Sequence, residues 1–80
     1  MPLIQTKRKR ERMASRFINF RKRNKLTQSE LGNLIELTRV EVINIEKARK
    51  FPRYSTIDRF NAVVERFRAG RALARQKGFD

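Results

Sequence analysis

The chain has 80 residues, with no Cys and no His, and its 21 Lys and Arg against 8 Asp and Glu give a formal charge of +13. That length makes one small domain with a modest core, and the missing residue types exclude disulfides, thiolate and imidazole metal sites, and the commonest general base. The charge calls for a polyanionic partner, with nucleic acid ahead of an anionic membrane surface or an acidic protein.

The elements follow in chain order. Met1 to Arg12 is basic and lacks the apolar stretch of a signal peptide. Residues 7–12 (KRKRER) carry five bases and one acid, and read either as an arm that follows a nucleic-acid backbone or as a solvated tail. Met13, Phe17 and Phe20 are spaced four and then three apart, which predicts a first helix over roughly 10–24. Thr27 with Glu30 forms a capping box ahead of a second helix over 28–35, with Leu31, Leu34 and Ile35 inward. Thr38 with Glu41 forms another, opening a third helix over 39–48 with Val42 and Ile45 inward. Phe51-Pro52 breaks the pattern. Ser55 with Asp58 reads as a third box for a fourth helix, with Ile57, Phe60, Val64 and Phe67 inward; Ala69-Gly70 weakens that helix before a basic tail, Arg71 to Asp80, that either continues helically or frays. No strand-like alternation and no apolar run near the ~18 residues of a membrane span occurs. From Gln28 to Ala48 two bases (Arg39, Lys47) face four acids (Glu30, Glu36, Glu41, Glu46), a net charge of 2 − 4 = −2. A near-neutral centre thus lies between basic flanks.

Two short helices separated by about three residues are joined at a steep angle rather than as a hairpin. The run from Thr27 to Glu46 (TQSELGNLIELTRVEVINIE) resembles the lambda-repressor-like, or Cro-like, helix-turn-helix family, and the likeness extends over about 17–64. It implies an all-α fold of four or five helices and a role in DNA binding. It also implies that Gln28 meets the phosphate backbone with Thr27 as its cap, and that Arg21 and Glu46 form an ion pair between the first and third helices. The chain departs from the family at Glu36, where the turn usually has Gly; that position commonly needs a positive φ. Gly32 falls where the second helix approaches the third.

The outer face of the third helix carries Arg39, Val40, Ile43, Asn44 and Lys47. Val40 and Ile43 suit thymine methyls, Arg39 guanine and Asn44 adenine. A protein contact is the other use of Val40 and Ile43. Thr38 and Glu41 are capping residues at the same helix end, and with Thr27 they are also candidate DNA contacts, Glu41 as a base reader in the alternative. Lys47, Arg49, Lys50 and Arg53 either clamp phosphates or form a solvated basic loop.

These readings divide the chain into a basic arm (1–12), a helix-turn-helix domain (13–68) and a basic tail (69–80). The expected function is sequence-specific binding of double-stranded DNA by a cytoplasmic, nucleoid-associated transcriptional regulator of phage or bacterial type, acting as a homodimer. Phe67, Leu73 and Phe79 bury either against a twin subunit or on the chain's own core. An RNA-binding or protein-interaction module on the same fold, antitoxin-like types included, is the alternative. No enzyme activity, cofactor, metal, membrane or small-molecule ligand is implied, because no nucleophile and base can be paired.

Overall fold

The computed structural model describes residues 6–78, and side chains as far as Arg71. The described residues form four helices and no strand: α1 (Lys7–Arg23), α2 (Gln28–Ile35), α3 (Arg39–Glu46) and α4 (Tyr54–Gly78). No helix among them is long and apolar enough to cross a membrane.

Three helices begin at a threonine. Thr6, Thr27 and Thr38 each hold an extended backbone, and each side-chain oxygen accepts the N–H three residues on. At Thr27 and Thr38 the reciprocal bonds from Glu30 and Glu41 complete capping boxes, as the spacing predicts. The Thr6 cap starts α1 three residues before the expected Arg10. The whole KRKRER run is therefore helical rather than a solvated tail: it forms the first turns of α1, and Arg10 donates from Nε to the Ala48 carbonyl at 3.0 Å. Residues 1–5 of the expected arm lie outside the described residues.

The start of α4 differs from the expected box. Ile57 N–H already donates to the Arg53 carbonyl at 3.0 Å, so Ser55 sits inside the first turn. A cap needs an extended backbone, which a helical Ser55 does not have. The helix then passes through Gly70 to Gly78, so the stretch after Gly70 continues helically, one of the two expected outcomes; a lone glycine costs about 1 kcal/mol and does not by itself end a long helix.

The core is one cluster: Met13, Phe17 and Phe20 of α1, Leu31 and Ile35 of α2, Val42 and Ile45 of α3, Phe60 and Val63 of α4. Each such side chain, fully buried, contributes roughly 1.5–3 kcal/mol. α1 and α4 meet through aromatic rings. Phe17 stacks on Phe60 at 4.4 Å between centroids, and Phe20 packs edge-on against Phe60 and Phe67. The inward stripe of α4 is Thr56, Phe60 and Val63, while Ile57, Val64 and Phe67 are half-buried at its margins. The side chain of Leu73, and Phe79 altogether, lie outside the described residues.

All three turns between helices use a left-handed residue, and none is glycine: Lys25 (φ 56°), Glu36 (φ 63°) and Ala48 (φ 60°). After each, the next N–H reaches back five residues to a helix carbonyl: Leu26 to Arg21, Leu37 to Gly32, Arg49 to Asn44, at 2.8–2.9 Å. These bonds close the helix ends and partly offset a strain of about 1–2 kcal/mol per left-handed residue. Gly32 is required for a different reason from conformational freedom. A Cβ there would lie 2.5 Å from the Leu37 carbonyl oxygen, in the turn that leads to α3.

Two substitutions in these turns have opposite expected signs. Gly32→Ala drives a methyl into backbone and should lower stability by about 1–3 kcal/mol. Ala48→Gly relieves the left-handed strain and keeps the carbonyl that accepts from Arg10, so it should raise stability by up to about 1 kcal/mol. Glu36→Gly should raise it less or leave it unchanged, because the exposed 3.5 Å ion pair with Arg59 goes with it. Thermal melts of the variants beside the parent chain read all three.

Candidate nucleic-acid interface

α3 presents one face to the core and the opposite one to solvent. Successive residues turn by about 100°, so Arg39, Val40, Ile43, Asn44 and Lys47 share the side away from Val42 and Ile45. Val40 is 62% exposed, an unusual exposure for an aliphatic side chain in this small molecule. Arg39 and Lys47 are exposed, while Ile43 and Asn44 are half-buried. Asn44 lies in reach of the loop, its Oδ1 3.5 Å from Nη1 of Arg49. Arg39 makes no hydrogen bond or ion pair with another described residue. The face therefore offers a free guanidinium, a free ammonium, an amide and apolar methyls side by side.

One flank of that face is set by Glu46. Its carboxylate accepts two bonds from Arg21, from Nε at 2.8 Å and Nη2 at 3.0 Å. A third comes from Nε2 of Gln28 at 3.1 Å. The Glu46 side chain is 6% exposed and that of Arg21 19% exposed. Arg21 also donates to the Leu26 carbonyl at 3.3 Å. Gln28, which the resemblance implies meets the phosphate backbone, is held to Glu46 by one hydrogen of its Nε2, and the second hydrogen can still donate outward. Thr27 beside it is exposed, with its oxygen accepting from the Glu30 N–H at 3.0 Å.

The other flank carries Glu41, Lys50 and Arg53. Oε1 of Glu41 accepts from the Thr38 N–H at 2.8 Å and from the Thr38 hydroxyl at 3.2 Å. The Thr38 backbone bond, then its hydroxyl, hold the Glu41 carboxyl below its ordinary value; desolvation opposes them, and the charges of Lys50 and Arg53 add the weakest contributions. Glu41 and Thr38 are therefore occupied with capping. Lys50 and Arg53, both exposed, line a cleft of about 180 Å³ with Glu41 and Arg59. Tyr54 was absent from the expected set. It is 82% exposed at the start of α4. An aromatic outside the inward stripe of its helix was the available clue, hidden by placing the helix start at Ser55.

Compared with models of protein families, with curated proteins and with solved structures, the chain matches none.

The Glu46 node makes a sharp prediction. Glu46→Ala leaves the Arg21 guanidinium largely buried without its anion and should cost about 3–5 kcal/mol. Arg21→Ala should cost a similar amount, and the double variant less than the sum of the two. Denaturant titrations around this double-mutant cycle measure the coupling; strict additivity would mean the pair contributes nothing as a pair.

Proposed function

We propose that the chain is a lambda-repressor-like helix-turn-helix protein that binds duplex DNA in a sequence-specific way with α3 in the major groove. In this reading it acts as a homodimer on a two-fold site, regulates transcription, and works on the nucleoid in the cytoplasm. The observation that carries the reading is the outward face of α3. It combines an exposed Val40 with Arg39, Asn44 and Lys47, none of them needed to hold the core. In water Val40 gains nothing from that position; against a thymine methyl it does. The capped starts of α2 and α3, their tight turn and the near-neutral charge of this segment support it further, since a reading helix needs shape and hydrogen bonds more than bulk charge. Lys47 and Arg49, at the end of α3, are the phosphate contacts nearest to the reading face.

Selection of bound sites from random duplex DNA tests the reading. A defined motif with two related half-sites is the expected result, and no enrichment over the starting pool would end it. On the selected site, Arg39→Ala and Asn44→Ala should each weaken binding by about 1–3 kcal/mol, and non-specific binding less, most clearly for the uncharged Asn44.

Lys47→Gln and Arg49→Gln should behave differently. Each should flatten the plot of log K against log salt by about 0.9 and leave the selected motif unchanged. A changed motif would make that residue a base reader.

A further inference from the structure

The face of α1 that looks away from α3 is as basic as any part of the molecule, and the reading of α3 makes no use of it. Residues of α1 that touch α3 and its following turn, Arg10 and Arg21, lie on one side of the helix. Lys9, Arg12, Arg16 and Arg23 lie roughly opposite, at spacings of three, four and seven that keep one stripe. All four are exposed. From Lys9 to Arg23 the stripe runs for about 21 Å.

The stripe borders a groove between α1 and the side of α4. At one end Lys9 and Arg12 form a recess of about 260 Å³ with Met13, Phe51 and Tyr54. At the other, Arg16 and Arg23 face Arg68 across a second recess of about 230 Å³, floored by Phe20, Phe60 and Val64. The two recesses follow each other along both helices: Tyr54 stands beside Lys9 and Arg12, Asn61 accepts from Arg16 at 2.9 Å, and Arg68 lies beside Arg23. The Arg16 guanidinium also sits 5.2 Å from the Phe60 ring centroid, which fixes its position over the floor. Arg68 is partly offset by Glu65 at 3.3 Å. Lys9, Arg12 and Arg23 have no side-chain partner among the described residues.

We propose that this α1–α4 groove is a second nucleic-acid site, which holds a single strand by its phosphates and stacks one base on Tyr54. A row of exposed cations beside an exposed aromatic ring is the chemistry of a single-strand track. An acidic protein segment is disfavoured by the floor, whose rings are already covered: Phe60 is 1% and Phe20 8% exposed, which leaves little apolar area for a peptide to bury. A chain with both sites holds two nucleic-acid segments at once, one on each side of α1. The inference stands apart from the reading of α3, since it uses none of the same side chains.

Tyr54 supplies the test, because the chain has one Tyr and no Trp, so its intrinsic emission comes from this position alone. Addition of an oligothymidylate about a dozen nucleotides long should quench that emission, after correction for absorbance, at low salt. With the same oligonucleotide end-labelled and followed by anisotropy, the Lys9→Gln, Arg12→Gln, Arg23→Gln triple variant should bind more weakly. Its plot of log K against log salt should flatten by about 2, from roughly 0.7 for each lost phosphate contact. Tyr54→Ala should weaken binding at every salt concentration with no change in slope. Arg39→Ala and Asn44→Ala should leave single-strand binding as it was, which separates failure of this proposal from failure of the α3 reading. Unquenched tyrosine emission, or a triple variant with parental affinity and slope, overturns the proposal. So does a mixed acidic and apolar peptide that displaces the oligonucleotide at equal charge, since that result makes the groove a protein site.

Discussion

Three helices converge on one carboxylate. Glu46 near the end of α3 takes hydrogen bonds from Arg21 of α1 and Gln28 of α2, and its side chain is almost wholly enclosed. A buried carboxylate is tolerable only when its oxygens are met by donors. The demand fixes the rotation of α3 about its own axis. With Glu46 turned toward α1 and α2, and with Val42 and Ile45 in the core, the remaining side must face solvent. Which residues of α3 are presented to solvent is therefore decided by a polar contact on the inner side of the helix.

The turns impose a second constraint. α2 and α3 are each only two turns long, and short helices have little stability outside a packed structure. Their ends are closed by hydrogen bonds instead: threonine caps at the starts, and left-handed residues with back-reaching N–H groups at the ends. The use of Lys25, Glu36 and Ala48 where glycine would be less strained costs some stability at each site. Glu36 recovers part of that through Arg59, and Ala48 offers its carbonyl to Arg10. Gly32 is the position with no such latitude, because its neighbour is backbone.

Charge is distributed by the same architecture. α1 carries nine bases and one acid, a net charge of 9 − 1 = +8, and faces solvent along most of its length. The α2–α3 segment is slightly acidic, and much of its acid is consumed by caps and by the Arg21 pair. The molecule thus separates a surface suited to shape and hydrogen-bond recognition from surfaces suited to long-range attraction of polyanions.

What the amino-acid sequence determined alone is what local physics determines. The two capping boxes and the boundaries at Thr27, Gln28, Thr38 and Arg39 depend on atoms within four residues of one another, and the structure has them where the spacing puts them. The stripes of Met13, Phe17 and Phe20, and of Val42 and Ile45, follow from helical periodicity in the same way. Other features depend on partners far along the chain. The roll of α4, which buries Thr56 and Val63 and leaves Ile57 and Val64 at the margin, is set by how Phe60 stacks on Phe17. The engagement of Gln28 is set by a carboxylate eighteen residues away. The cleft that Lys50 and Arg53 share with Arg59, and the alignment of α1 cations with Tyr54, come from the path of the loop after α3. Such placements cannot be read from spacing, because a helix pattern specifies which side is apolar but not which neighbour that side will meet.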